Sequence, residues 1–367
     1  MNRFLKMALL PLVRLLSACS NALDNILFNL VPHPQEPQER QYNIRQVEFV
    51  NPTDGTLLAG ELTYPTEGES FPAVVLISGH ESGAPPASRN DEIAGHQYFL
   101  VISHLLTQRG YAVLRYDNRG VGDSTGDYMT ASDNEFSADA AAALKWLRES
   151  SNIRLTSSGF LGHSQGGIKA LLAAEIEPPD FIISLAGISV ETTAQAVVRQ
   201  NQEINRANGI PQSLSDLQVK ELTDIFEILR ISSTKEQAQS LLREYTRNAG
   251  ITDVDHIQNV VDQFGSNWWF TEAHRDIKPL IKKYRGPVLA LFGAKDLLVS
   301  AAINEAPTRH LLRHPQSEVH TFDHLNHLFQ TAKKGTGPQE YWEIETTIEE
   351  YVIEKIDDWT TSINSMS

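Results

Sequence analysis

The sequence predicts an α/β fold with a mostly parallel central sheet, helices on both faces of the sheet and an inserted helical cap. From Gln46 onward, short continuous apolar runs alternate with longer amphipathic segments, which is typical of buried parallel strands and the helices that cover them. The alternation is interrupted once, over about residues 191–274, where no good strand pattern occurs. A chain of 367 residues, 41% of them apolar, is long enough for one large domain with such an insertion.

The elements before the insertion follow from local patterns. Residues 47–50 and 57–64 flank Asn-Pro-Thr-Asp-Gly, a turn sequence, and form a predicted hairpin. Ala73–Ile77 is a short apolar run that ends at Ser-Gly, as expected of a strand buried on both faces. The elements predicted after it are a helix over 97–109, a strand over 112–116, a helix over 135–148, a strand over 159–161, a tight turn over 162–166, a helix to about 174 and a strand over 181–185.

The insertion is predicted to be helical because apolar residues recur in it at helical spacing, namely Leu217, Leu222, Ile225, Phe226 and Leu229. After the insertion we predict strands over 288–292 and 318–322 and helices near 301–312 and 343–359. The expected organisation is an N-terminal segment over 1–40, a core over 41–190 and 275–367, and a helical cap over 191–274.

Charge and cysteine content exclude several classes of protein. The 31 basic and 46 acidic residues give a formal net charge of -15, and no long basic run occurs, so a nucleic-acid partner is not expected. Cys19 is the one cysteine of the chain, which excludes an internal disulfide and a multi-cysteine metal site.

Residues 1–31 differ from the rest of the chain. Basic residues precede an apolar run, and Leu-Ser-Ala-Cys at 16–19 resembles the bacterial lipobox, whose cysteine is lipidated after cleavage. This interpretation makes Cys19 a lipidation site and places the protein in the bacterial envelope. Because Arg14 and a proline interrupt the apolar run, an uncleaved amphipathic helix on a membrane surface or on the protein body is the alternative. The proline-rich residues 31–40 are expected to form a tether.

The pentapeptide Gly-His-Ser-Gln-Gly at 162–166 matches the pattern G-x-S-x-G. The predicted strand before it and the predicted helix after it supply the strand–turn–helix context that this pattern needs when its serine is a nucleophile. The alternative is a glycine-rich turn with an incidental serine. The context favours Ser164 as a catalytic nucleophile, which then needs a base oriented by an acid.

The acid and the base are expected after Ser164 in the chain, in that order. Asp296 follows the predicted strand 288–292, at the end where such catalytic groups lie, although it also fits a helix cap or a turn. Two histidines, His324 and His327, follow the last strand. We favour His327 as the base because it lies further beyond the strand.

Taken together, these residues resemble the α/β-hydrolase superfamily, and more narrowly the bacterial EstD-like carboxylesterases. The resemblance covers about Gln46 to the end of the chain. It includes, in order, the glycine after the third strand, the segment Arg-Tyr-Asp-Asn-Arg-Gly-Val-Gly-Asp-Ser-Thr-Gly-Asp at 115–127, the turn around Ser164, Gly-Ala-Lys-Asp at 293–296 and Leu-Asn-His-Leu-Phe-Gln at 325–330. The resemblance implies a triad of Ser164, Asp296 and His327, and it implies that residues 117–124 form a structural turn.

The resemblance also implies an oxyanion hole made of the backbone N–H groups of Gln165 and His80. The sequence departs from the family after the third strand. It has Gly-His-Glu-Ser-Gly-Ala-Pro-Pro at 79–86 where a compact Gly-Ser-Gly-Pro is usual. The longer loop leaves the position of the second donor open.

The expected activity is hydrolysis of small carboxylic esters with short to medium acyl chains, through an acyl-enzyme and without a metal or an organic cofactor. We expect the acyl pocket between the cap and the strand ends, with Trp268, Trp269 and Phe270 either as its walls or as plain cap core. A peptidase, an amidase or an acyltransferase with the same triad, and a non-catalytic binding protein on this scaffold, are the alternatives. The sequence leaves the oligomeric state open.

Overall fold

The computed structural model describes residues 31–79 and 87–365, so that the predictions on Cys19 and His80 lie outside the described residues. Its strands are β1 (Asn43–Val50), β2 (Leu57–Tyr64), β3 (Phe71–Ile77), β4 (Glu92–Ile93), β5 (His96–Gln97), β6 (Ala112–Tyr116), β7 (Leu155–His163), β8 (Phe181–Leu185), β9 (Val288–Gly293) and β10 (Glu318–Phe322). Eight of them form one sheet in the order β1-β2-β6-β3-β7-β8-β9-β10, and β4 and β5 form a small separate hairpin.

The described helices, in chain order, are α1 (Tyr98–Gln108), α2 (Asp133–Glu149), α3 (Gln165–Ala173), α4 (Thr193–Ala207), α5 (Gln212–Ile231), α6 (Lys235–Asn248), α7 (Val254–Phe264), α8 (Asn267–Ala273), α9 (Ile277–Lys283), α10 (Ala301–Leu311) and α11 (Glu350–Asn364). A 3₁₀ helix spans Gly337–Glu343.

Parallel pairing in the sheet determines where the loops of interest meet. Strand β3 pairs in parallel with β6 and β7, and β7, β8, β9 and β10 continue as parallel neighbours. The carboxyl ends of these strands therefore lie along one edge of the sheet, where ligands of open α/β sheets bind. Strands β1 and β2 are antiparallel to each other, and β2 is antiparallel to β6.

Strand β3 shows how the sheet separates two hydrophobic layers. Val74 and Leu76 pack in the layer that contains α1 and α11, and Ala73, Val75 and Ile77 pack in the layer that contains α2 and α3. All five side chains are buried, which is why this strand is continuously apolar rather than alternating. The α/β class predicted from the sequence is confirmed.

Helix α2 is capped at its N-terminus by Ser132 and Glu135. The Ser132 hydroxyl accepts a hydrogen bond from the N–H of Asn134 at 3.3 Å, and the Glu135 carboxylate accepts one from the N–H of Ser132 at 2.8 Å. This capping box satisfies N–H groups that the helix itself cannot pair. The helix therefore begins at Asp133, two residues earlier than the apolar pattern suggested.

Between β8 and β9, where every residue is described, the chain forms α4 to α9 and no strand. The helices α5 to α8 share a hydrophobic core separate from the two layers of the sheet. Leu222, Ile225, Phe226 and Leu229 of α5 are buried in that core, whereas Leu217 is 37% exposed and does not share their face. The insertion is helical, as its spacing predicted.

The described part of the N-terminal segment lies along the body of the protein. The Gln35 amide donates to the carbonyl of Ile348 at 2.8 Å and accepts from the N–H of Thr347 at 2.7 Å. Glu36 accepts hydrogen bonds from Gln97. Gln35 and Glu36 thus contact the body of the protein through side-chain hydrogen bonds. Among the residues described, no helix has the length and apolar character that crossing a membrane requires.

The strands at 57–64, 112–116, 181–185 and 318–322 begin and end where the sequence predicted. The last helix is different: the sequence predicts it near 343–359, but it begins at Glu350 and ends at Asn364, and a 3₁₀ helix with Pro338 near its start ends at Glu343. Proline is tolerated in the first turn of an α-helix and of a 3₁₀ helix, so Pro338 does not distinguish the two. The small β4–β5 hairpin has no periodicity that the sequence analysis could detect.

A buried ion pair links the turn after β6 to α2. The Arg119 guanidinium donates from Nε and Nη2 to the Asp139 carboxylate, each at 2.7 Å, and from Nη1 to Asp54 at 2.9 Å. The Asp139 residue is only 1% exposed. We expect Arg119→Met to lower the free energy of unfolding by about 3–5 kcal/mol, because it leaves a buried carboxylate without its cation. Urea unfolding measures the difference.

The control for this prediction is Arg230→Met, which breaks the exposed pair between Arg230 and Glu227. Exposed pairs contribute about 0–1 kcal/mol, so this variant should unfold close to the wild type. Equal losses in the two variants would contradict the role given to the buried pair.

Candidate active site

Ser164 lies on the tight turn between β7 and α3. Its backbone has φ +52° and ψ -130°, a conformation that residues other than glycine rarely adopt and that costs of order 1–3 kcal/mol. The turn is tight because three backbones meet there. A Cβ on Gly166 would lie 2.1 Å from the carbonyl oxygen of Ile77 in β3, and a Cβ on Gly162 would lie 2.2 Å from the carbonyl oxygen of Gly166. Both glycines of the pentapeptide are therefore required by close packing.

Asp296 and His327 are brought together at the carboxyl ends of β9 and β10. The His327 ring donates from Nδ1 to Oδ2 of Asp296 at 2.8 Å, and both residues are buried. The other oxygen of Asp296, Oδ1, accepts the N–H groups of Leu298 at 2.7 Å and Val299 at 2.9 Å. The aspartate thus orients both its own loop and the histidine. With Nδ1 as the donor, His327 has Nε2 as its hydrogen-bond acceptor.

The two histidines that the sequence offers as the base have different environments in the structure. His324 is exposed, whereas His327 is buried and hydrogen bonded to Asp296. The geometry of an oriented base therefore exists at His327. Asp296 likewise accepts hydrogen bonds from its own turn and from the candidate base His327.

His163 connects the Ser164 turn to His327. Its ring packs between Tyr98, at 4.7 Å between ring centroids, and His327, at 4.8 Å. The His163 Nε2 donates to the backbone carbonyl of His327 at 3.1 Å. Burial lowers the pKa of His163 to about 3, so the ring is neutral. His163 packs beside the serine and holds the backbone of His327.

Gln165 is the first residue of α3, and its backbone N–H is among those that a helix leaves without an internal partner. Its side chain is held between two carboxylates. The Nε2 atom donates to Asp133 at 2.6 Å and to Glu272 at 3.1 Å. These two hydrogen bonds connect Gln165, the candidate oxyanion donor, to α2 and to α8 of the insertion.

The two carboxylates form a buried acidic pair. The remaining oxygen of Asp133 accepts from the indole N–H of Trp268 at 2.7 Å, and Oε1 of Glu272 accepts from Arg275 at 2.6 Å. Burial, and then the charge of Asp133, raises the pKa of Glu272 to about 7. The sequence gives no local signal for this pair, because its two residues are more than a hundred positions apart.

The aromatic residues predicted near the acyl pocket belong to the insertion. Trp268 and Trp269 are 6% and 4% exposed and pack in its hydrophobic core, with their rings 4.7 Å apart. Phe270 is half-buried and packs against the same core. Trp268 also reaches the core domain through Asp133, so this residue anchors the insertion beside the Ser164 turn.

Gly79, after β3, lies directly against the serine. A Cβ on Gly79 would be 3.0 Å from Cβ and 3.5 Å from Oγ of Ser164. The close approach places the start of the 79–86 loop beside the candidate nucleophile. His80, the second predicted oxyanion donor, stays a prediction.

The segment 117–124 supports the same region. The Asn118 amide donates to the Ser78 hydroxyl at 2.9 Å and to the carbonyl of Ala87 at 3.0 Å, on the two sides of the 79–86 loop. A Cβ on Gly122 would collide with the Asp117 carboxylate at 2.5 Å. Gly122 therefore allows the close packing within the turn, and Asn118 links the turn to the end of β3. Within residues 31–79 and 87–365, no group of three or more His, Cys, Asp or Glu side chains is placed to hold a metal ion.

The strand order, the strand–turn–helix at Ser164 and the placement of Asp296 and His327 after β9 and β10 define an α/β-hydrolase fold. The chain belongs to the X-Pro dipeptidyl-peptidase (S15) family, whose model matches residues 54–324. It is 25% identical over 302 residues to Esterase EstD of Thermotoga maritima, an alignment that covers 82% of this chain and 65% of EstD. The chain thus spans less than two thirds of the length of that relative.

Three further similarities are shorter or purely structural. An uncharacterized protein of Mycobacterium tuberculosis is 32% identical over 134 residues, which are 36% of this chain and 42% of that protein. Among solved structures, the Pyrococcus furiosus esterase Pf2001 has a TM-score of 0.50 at 16% identity, covering 84% of this chain and 89% of its own. The hypothetical protein PA2218 from Pseudomonas aeruginosa has a TM-score of 0.52 at 16% identity, covering 82% and 91%. Both support the fold.

We expect the stability of the wild type relative to Glu272→Gln to decrease as the pH rises from 5 to 8. The folded-state pKa of Glu272, about 7, lies above the ordinary value of 4.5. Its contribution to stability is therefore complete below the unfolded pKa and is lost as the pH rises through 7. Melting temperatures of both proteins across this range measure the effect. Glu244→Gln, at an exposed position of α6, is the control and should show no such trend.

Proposed function

We propose that the protein is a serine hydrolase that cleaves carboxylic esters through an acyl-enzyme intermediate. The observation that carries this proposal is the buried hydrogen bond between His327 and Asp296, next to the ring of His163, which directly precedes a serine on a strained strand–turn–helix. A neutral histidine oriented by a carboxylate is what a serine hydroxyl needs to become a nucleophile.

The steps follow from the roles of these groups. His327 Nε2 removes the proton of Ser164 while Oγ forms a bond to the ester carbonyl carbon. The carbonyl oxygen becomes negatively charged and accepts hydrogen bonds from the backbone N–H groups of Gln165 and His80. His327 then gives its proton to the leaving alkoxide, and the acyl group stays on Ser164. Water, deprotonated by His327, releases the acid in a second addition and elimination.

Asp296 keeps its negative charge throughout and stabilises the imidazolium that forms after each proton transfer. Its two hydrogen bonds to backbone N–H groups hold the carboxylate where it faces Nδ1 of His327. Each of these steps uses side chains and backbone groups of the chain itself.

The insertion is proposed to act as a cap over this edge of the sheet. Its contacts with the core support that role on two sides of the candidate triad. On one side, Arg199 of α4 donates to the carbonyls of Leu297 at 3.2 Å and Leu298 at 2.7 Å, in the Asp296 loop. On the other side, Glu272 contacts Gln165. The proposed acyl pocket lies between these anchors and takes short to medium acyl chains.

The name of the family supplies the second candidate, a peptidase that releases X-Pro dipeptides. Such an enzyme binds a free N-terminal ammonium group, for which a carboxylate is the natural partner. The two carboxylates nearest Gln165, Asp133 and Glu272, already accept hydrogen bonds from the protein at all four oxygens. Because these oxygens already have partners within the protein, we infer that an ester is favoured over a dipeptidyl substrate.

The first test uses p-nitrophenyl esters from acetate to palmitate. We expect turnover with a maximum at short to medium chains, and a loss in kcat of about 10⁶-fold for Ser164→Ala and His327→Ala and about 10⁴-fold for Asp296→Asn, because each removes one member of a unit that acts together. His324→Ala is the matched control for His327→Ala and should keep wild-type turnover. A loss of equal size in His324→Ala would refute the assignment of the base.

The second test compares p-nitrophenyl butyrate with glycyl-prolyl-p-nitroanilide. We expect kcat/KM for the ester to exceed that for the anilide, because Asp133 and Glu272, the described carboxylates that contact Gln165, already accept hydrogen bonds from the protein. A fluorophosphonate probe should label the wild type and leave Ser164→Ala unlabelled, which confirms that the serine reacts. The reverse preference would replace the esterase by the peptidase.

A further inference from the structure

Arg199 of α4 reaches from the insertion to the loop that carries Asp296. Its Nη1 donates to the carbonyl of Leu297 at 3.2 Å, and its Nη2 donates to the carbonyl of Leu298 at 2.7 Å. The next residue of α4, Gln200, donates from Nε2 to the same Leu298 carbonyl at 2.9 Å. The Arg199 side chain is only 11% exposed. The insertion therefore holds two consecutive peptide groups of this loop.

The other side of these two peptide groups faces Asp296. In a planar trans peptide group, the C=O of one residue and the N–H of the next residue point in opposite directions. The Leu297 carbonyl shares its group with the Leu298 N–H, and the Leu298 carbonyl shares its group with the Val299 N–H. These two N–H groups donate to Oδ1 of Asp296, at 2.7 Å and 2.9 Å. Each peptide group thus lies between Arg199 and the carboxylate.

Asp296 connects these peptide groups to the candidate base. Its Oδ1 is held by the two N–H groups, and its Oδ2 accepts the hydrogen bond from Nδ1 of His327 at 2.8 Å. A carboxylate is planar, so fixing the position of Oδ1 limits the directions in which Oδ2 can point. Hydrogen bonds arranged in series inside a protein also polarise one another. A donor on the Leu297 and Leu298 carbonyls therefore affects the orientation of Asp296 and the strength of its contacts.

The Arg199 guanidinium is itself held in place. Its Nε donates to both carboxylate oxygens of Glu191, at 2.9 Å and 3.1 Å, and its Nη1 also donates to Glu203 at 3.0 Å. All three nitrogens of the planar group are thus used as donors, and they have fixed relative positions. A lysine has one nitrogen, so it cannot reproduce this arrangement of donors.

We propose that Arg199 is a positioning residue of the catalytic acid. By holding the Leu297 and Leu298 carbonyls, it fixes the two N–H groups that orient Asp296 toward His327. The proposal rests on the proposed serine hydrolase function. It assigns Arg199 no contact with the substrate, so its loss should lower the rate of the chemical step and leave substrate binding unchanged.

The test is Arg199→Met, which keeps an unbranched side chain and removes the donors. The matched control is Arg206→Met, the same substitution at an exposed position of the same helix. Both variants are measured with p-nitrophenyl butyrate. We expect kcat of Arg199→Met to fall by about 10–10²-fold with KM little changed, because hydrogen bonds from a charged donor are lost. Arg206→Met should keep the wild-type kcat and KM.

A double-mutant cycle separates positioning of the acid from a general structural role. Arg199→Met is measured again in an Asp296→Ala background, which has no carboxylate to orient, with Ser164→Ala as the blank. We expect it to change kcat there by less than about twofold, the precision of such cycles. An equal loss of kcat in the two backgrounds would overturn the proposal. An unchanged kcat in the wild-type background, with or without a rise in KM, would overturn it as well.

Arg199→Lys keeps the proposal testable if Arg199→Met does not fold. This variant retains a positive charge beside Glu191 but has one nitrogen in place of three. We expect kcat to fall by about 2–10-fold, the effect of a lost hydrogen bond, and this loss should disappear in the Asp296→Ala background. A folded Arg199→Lys with unchanged kcat, or with the same loss in both backgrounds, would overturn the proposal.

Failure of the proposed function looks different. A folded wild type that neither hydrolyses esters nor reacts with a fluorophosphonate would refute the serine hydrolase itself. An active, labelled wild type beside an equally active Arg199→Met would refute only the role of the arginine.

Discussion

Close backbone packing at the Ser164 turn is the constraint on which the site depends. Strand β3, the turn and helix α3 approach so closely that Gly162 and Gly166 have no room for a Cβ, and Gly79 has almost none. The approach forces Ser164 into its strained backbone conformation and sets its hydroxyl beside the ends of β3 and β7. Such strain persists only where the surrounding structure enforces it. The buried strands and α3 supply that enforcement.

Around this turn the protein uses buried polar contacts rather than apolar packing alone. His163 holds the backbone of His327, Asp296 holds its ring, and Lys169 holds the carbonyls after β3. Buried polar groups are costly unless they are paired, so each of these contacts also specifies one arrangement of the loops. The candidate triad is thus positioned by groups that are themselves tightly held.

The insertion contacts the candidate active site through side chains of α8 and α4. Trp268 and Glu272 of α8 meet Asp133 and Gln165, and Arg199 meets the loop of Asp296. Membership in a family named for a dipeptidyl-peptidase and similarity to an esterase are compatible, since one fold can support more than one substrate class.

The sequence by itself determined the α/β class, the order of the elements and the three candidate triad residues. Buried parallel strands are continuously apolar, and the turn around Ser164 needs glycines at fixed positions, so both leave local patterns. Only the tertiary structure showed that His327 and not His324 is hydrogen bonded to Asp296, placed Trp268 and Trp269 in the core of the insertion, and showed the buried contacts of Glu272 and Lys169. Each of these contacts joins residues that are far apart in the chain. Such contacts leave no periodic pattern in the sequence, so a single sequence cannot predict them.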